Sequence, residues 1–239
     1  MHKLKVALAV AGIALGAPAM AGPVEDFHAL MDDYWAAALK SSPVLATSAG
    51  VPGYDAGLDA LSLEEFDREA AEAAAFLARL EAIPTTSLNA ADRTNRAILK
   101  RSLEDTVEAN RFGQRQMLYS TLGSYHDYYA GLAESQPFRT KADFENYLSR
   151  IGHVPDRMRS YGEISAKAAR EGFVHPCVTL TGFPATVSGN IADDPSKSRF
   201  YLPFAGDRPA DVREAEWESH KSGGAALYGR NVLDGLEMA

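Results

Sequence analysis

Six histidines, His2, His28, His126, His153, His175 and His220, are the side chains of this sequence best suited to metal ligation or proton transfer at neutral pH. A helical zinc site of the hydrolase kind needs two of them four residues apart, with a glutamate after the first. No two are so spaced, and none is followed by glutamate. Glu218 and His220 lie close together near the C-terminus, but Lys221, Ser222 and Gly223 follow, which is poor company for a ligand helix. A phosphate-binding glycine loop and a G-x-S-x-G elbow are both absent. Glu64, Glu65, Asp67, Glu69 and Glu72 are spread around one helical stretch and read as a solvated face. No catalytic residue and no metal ligand is assigned.

The most site-like stretch is Ser124-Tyr125-His126-Asp127-Tyr128-Tyr129. Aromatic rings with a histidine can line a ligand pocket, giving stacking surface and hydrogen bonds. Tyr125, His126, Tyr128 and Tyr129 are therefore the candidate substrate-binding residues. The other reading is a packing cluster whose polar tips hold an irregular segment. Cys177 is the only cysteine, so no intrachain disulfide can form, and it is expected to be a small buried hydrophobe.

The elements that must position these residues are helical. The first 21 residues combine a basic start (His2, Lys3, Lys5), an apolar run from Val6 to Ala17 and a small-x-small end at Ala19-Met20-Ala21. They read as a signal peptide cleaved after Ala21, which predicts a periplasmic or secreted protein with no membrane insertion. Its removal takes the net charge from −8 to −10, which argues against nucleic-acid partners. Beyond it, apolar residues recur at helical spacing and strand signals are almost absent. Ser62/Glu65, Asn89/Asp92 and Thr140/Asp143 mark helix starts. Gly50 to Leu61 and the stretch DDPSKSRFYLPFAGDRP read as loops, and a last helix begins between Ala210 and Glu218. The fold class expected is all-α, in one unit.

Several segments together resemble the bacterial family of domain of unknown function 885. Ser42, Pro43, Ala46, Thr47, Gly50, Tyr54 and Asp55 fit its N-terminal signature, and Leu88, Asp92 and Arg93 fit its L-x-x-x-D-R element. QPFRTKADFENYLSRI and DDPSKSRFYLPF resemble two later stretches, with a last trace at EAEW. The resemblance implies a mostly helical, exported relative of zincin-like metallopeptidases, whose H-E-x-x-H motif lies downstream in longer chains. On that reading residues 22–217 are the N-terminal helical half, and zinc is expected only in the full-length architecture. Residues 218–239, with Gly223, Gly224, Gly229 and Gly235, are then a divergent tail lost to a frameshift or truncation. The implied partners are the missing C-terminal half or a peptide-like ligand. The alternative is a stand-alone periplasmic helical binding or interaction module.

Overall fold

Of the three long helices, two start at a side chain that replaces a missing backbone partner, and the first starts at a proline. Helix α1, Pro23–Ser41, has proline in its first turn with Glu25 and Asp26 beside it, where negative charge suits the helix dipole. Helix α3, Leu63–Ala82, starts at Ser62, whose Oγ accepts from Glu65 N at 3.0 Å, and stops before Pro84. Helix α4, Ala90–Arg111, starts at Asn89, whose side chain accepts from Asp92 N at 2.9 Å. Their buried stripes meet in a first core: Phe27 and Leu30 of α1, Ala73, Phe76 and Leu80 of α3, Leu99 and Leu103 of α4. The computed structural model describes residues 22–113, 116–118 and 124–229. The expected signal peptide lies outside them.

The second core is made of shorter pieces. Helix α2, Pro43–Ser48, follows α1 directly, and Gly50 ends it with φ 74°, a conformation that favours glycine. Helix α5 is Tyr125–Ala130, and α6, Lys141–Gly152, carries the full reciprocal capping box between Thr140 and Asp143. Helix α7, Val154–Glu171, turns off α6 at His153 and ends at Gly172 with φ 82°. Helices α8, Phe183–Ser188, and α9, Glu214–Leu227, complete the set. Phe144, Tyr147 and Ile151 of α6, Met158, Tyr161 and Ile164 of α7, Trp217 of α9 and Tyr228 meet in this core. No strand occurs among the described residues, so the protein is all-α as expected. No helix among them is long and apolar enough to cross a membrane.

Three expectations are corrected. The stretch from Asp193 to Pro209 is not a plain loop. It holds 3-10 turns at Pro195–Lys197 and Arg199–Ala205, and the second buries Phe200 and Phe204 to 1% exposure. Ser198 makes this turn, its Oγ accepting from Tyr201 N at 3.2 Å. Nor does the fold end near Glu218, because α9 continues to Leu227. Gly224 is what lets it pass: a Cβ there would lie 2.6 Å from a Phe204 ring carbon. The roughly 1 kcal/mol that glycine costs a helix is offset by this close packing. Tyr228 beyond it is fully buried, its hydroxyl accepting from Ala192 N at 2.6 Å. Residues 230–239 of the expected tail lie outside the described residues. Cys177, thirdly, is exposed on a 3-10 turn after α7 rather than buried.

Candidate functional site

Helix α3 belongs to both cores. Leu63 and Phe66 in its first turns pack on the second core, while Ala73, Phe76 and Leu80 enter the first. Where the cores meet, a cleft of about 620 Å³ opens, lined by the end of α1, the loop before α3, α3 itself and α5. Its size suits a small ligand or one or two residues of a longer one. Phe66 and Glu69, three residues apart on α3, share the face turned to it. Glu69 thus leaves the solvated face expected of its neighbours.

Asp59 forms another part of the wall and is held firmly. Its Oδ1 accepts from Val44 N at 3.1 Å, and its Oδ2 accepts from Ser42 Oγ at 2.7 Å and Tyr128 OH at 3.3 Å. It therefore fixes the first turn of α2. Arg157 Nε in turn donates to the Asp59 carbonyl at 2.8 Å.

Helix α5 brings three of the four predicted residues to the cleft. Tyr125, Tyr128 and Tyr129 stand at spacings of three and four, so they share a helix face, and all three line it. Tyr129 also serves the core at 1% exposure, whereas Tyr128 is 42% exposed. The Tyr125 ring meets that of Tyr161 edge-on at 5.4 Å. Burial first, then nearby carboxylates, raises the pKa of Tyr125 and Tyr128 above the usual phenol value. Both are neutral hydroxyls able to donate hydrogen bonds.

His126 is the exception and is corrected. One position along α5, it points to the other side and is fully buried, its Nε2 2.9 Å from Thr186 Oγ1 of α8. Its ring meets Phe183 edge-on at 5.4 Å. Thr186 donates its own hydroxyl proton to the Phe183 carbonyl, so Nε2 carries the proton shared with Thr186. Nδ1 is buried without a partner among the described residues. Burial pushes the His126 pKa down, outweighing the Asp127 charge. His126 is a neutral packing residue. Asp127 takes its place at the cleft, with Oδ1 accepting from Asn190 Nδ2 at 2.8 Å.

The cleft is acidic. Asp59, Glu69 and Asp127 line it, and no lysine, arginine or histidine does so among the described residues. Arg68, next to Glu69, is engaged by Glu65 at 2.6 Å, Glu72 at 3.1 Å and Ser41 Oγ at 2.9 Å. Burial and the negative charge of Glu65 raise the Glu69 pKa above its usual value. The described residues do not fit a zinc centre: no group of three or more His, Cys, Asp or Glu side chains converges among them.

Arg150, unassigned from sequence, holds the frame. It is fully buried on α6. It donates from Nε to the Gly57 carbonyl at 2.7 Å and from Nη1 to Gln136 Oε1 at 3.1 Å. Nη2 reaches Thr47 Oγ1 at 2.7 Å and the Tyr54 carbonyl at 2.9 Å, with the Pro43 carbonyl at 3.4 Å. These bonds tie α6 to α2 and to the loop that carries Asp59. The signal was a charge inside an apolar stripe, three residues after Tyr147 and one before Ile151.

A family model described as bacterial protein of unknown function (DUF885) matches residues 43–230. The chain belongs to this family. In this DUF885 chain three of the residues that carried the resemblance, Pro43, Thr47 and Tyr54, supply oxygens to Arg150. The match runs past Glu218, where the sequence reading lost the family, and takes in all of α9. The fold is similar to that of a protein from Colwellia psychrerythraea, described as a "putative lipoprotein", with a TM-score of 0.79 at 12% identity. The likeness covers 91% of this chain and 40% of that one, so the DUF885 chain spans less than half of that protein's length. No curated protein matches it.

Proposed function

We propose that this chain is the helical, ligand-holding part of an exported hydrolase of metallopeptidase type, and that the cleft between its two cores is its contribution to substrate binding. The observation that carries this reading is the cleft itself, where apolar, aromatic and acidic groups converge. Phe66 and the tyrosines would hold a peptide-like ligand by its side chains. Asp59, Asp127 and the tyrosine hydroxyls would orient it. Zinc would come from elsewhere in the longer architecture, and no step of the chemistry runs through residues of this chain. A covering partner is supported by the exposed apolar side chains Phe112, Phe173, Val174 and Val178, which a partner could bury. The test is calorimetric titration of the purified chain with short peptides. Binding that is lost in Phe66→Ala supports the reading, and binding unchanged by that substitution overturns it. The chain alone should neither retain stoichiometric zinc nor cleave the peptide, and doing both would overturn the division of labour.

The second reading, a stand-alone periplasmic binding module, is favoured by α9 and Tyr228, which close the aromatic core. Size-exclusion chromatography with thermal melting separates the two. A cooperatively melting monomer fits the module, and association through those exposed apolar side chains fits the partnered part.

A further inference from the structure

Resting on the reading of the cleft as a ligand site, we propose that it selects a protonated organic amine on an apolar stem, with Glu69 as the anchoring carboxylate. The three carboxylates of the cleft are not equivalent. Asp59 is engaged by Ser42, Val44 and Tyr128, and Asp127 by Asn190. Glu69, half-buried on the same wall, has no hydrogen bond or close ion pair among the described residues, and the Arg68 charge acts on it only at a distance. Its neighbour Arg68 is committed to Glu65 and Glu72. A partly desolvated carboxylate without a partner is a site that a cationic ligand stabilises.

The surroundings decide which cation. The described residues offer no group of three converging metal donors, which turns the choice from a metal ion to an organic cation. Phe66, one helical turn before Glu69, and Tyr125 across the cleft offer ring surfaces that attract an ammonium and pack its carbon stem. Leu118 and Ala60 extend the apolar floor. An anionic ligand would face three carboxylates, and a neutral one would leave Glu69 unpaired. A peptide amino terminus and a lysine side chain share the chemistry that fits.

The test titrates the 239-residue chain with 2-phenylethylammonium, with its neutral counterpart 2-phenylethanol and with 3-phenylpropanoate. The ammonium should bind about tenfold more tightly than the alcohol, as one charged hydrogen bond gives, and the carboxylate should not bind. Glu69→Gln should erase that preference and leave the alcohol unchanged. Its thermal melt, compared with the parent chain, shows that the variant is folded. Equal binding of alcohol and ammonium, no binding of the ammonium, or an ammonium affinity unchanged in Glu69→Gln would each overturn the proposal.

Two peptides separate the sources. One has a free amino terminus and no lysine, and the other is N-acetylated and carries one lysine. Preference for either over a fully blocked, lysine-free peptide identifies the amine. Should the blocked peptide bind equally well and still depend on Phe66, the amine assignment fails while the cleft stands. Peptide binding indifferent to Phe66 removes the cleft reading itself.

Discussion

The two cores are built by different means. The first joins three long helices through mainly aliphatic and alanine contacts around two buried rings, Phe27 and Phe76, with exposed ion pairs such as Arg79–Asp33 at 2.6 Å outside. Each of its helices follows from its own periodicity and start signal, a proline for α1 and a side-chain cap for α3 and α4. The second joins short helices and 3-10 turns through packed rings, among them Phe144 edge-on to Trp217 at 4.9 Å, and one buried guanidinium. Apart from the 18-residue α7, its pieces are too short to be stable alone and take their conformation from one another. The cleft lies where a self-sufficient helix, α3, meets this interdependent core. A ligand there would touch both.

The comparison breaks first at Arg150. Arg150→Met should lower the melting temperature by about 10 °C, because five oxygens lose their donor at a cost of about 3–5 kcal/mol. A loss no larger than that of a surface substitution on α4 would show that the second core does not depend on it.

Neighbouring glycines on α9 sharpen the point. Gly224→Ala should destabilise by about 1–2 kcal/mol in urea unfolding, since its methyl would strike the Phe204 ring and overpacking outweighs the gain in helix propensity. Gly223→Ala should instead stabilise by up to about 1 kcal/mol, because its methyl meets Leu148 only at 3.7 Å. The same sign for both would mean that α9 is not seated as described.

In the first core a local effect is expected to remain local. Asn89→Ala should cost about 1 kcal/mol in thermal unfolding, the usual value of a lost N-cap. Amide exchange should quicken in the first turn of α4 and not in α5 to α9.

The smallest effect concerns the cleft. Glu69 has a pKa raised above 4.5, so its contribution to stability is full in acid and is lost as pH rises through the folded-state value. Glu69→Gln should therefore match the parent below about pH 4 and melt slightly higher near pH 7. A variant that melts lower at pH 7 would mean that Glu69 has a partner in the folded protein.

How much of this was legible follows from the same contrast. Ser62/Glu65, Asn89/Asp92 and Thr140/Asp143 marked real helix starts, because a cap is set by residues three apart. The turn that buries Phe200 and Phe204 had no helical period to reveal it. Gly224 reads as a helix breaker until the Phe204 ring is known to lie against it. At the site, Tyr125, Tyr128 and Tyr129 were visible as a cluster. Spacing alone does not separate them from His126, which stands about 100° from Tyr125 but only about 60° from Tyr129, so the packing of α8 against it decides. Asp59 and Glu69 were not visible as partners of α5, since only the tertiary fold brings them beside a helix more than fifty residues later.

The central claim is that ligand binds where the two cores meet. Hydrogen–deuterium exchange with and without a short peptide bearing a free amino terminus tests it most directly. Exchange should slow in the first half of α3 and in α5, with α4 unchanged. Slowed exchange confined to the Phe173–Leu180 region, or none at saturating peptide, would contradict it.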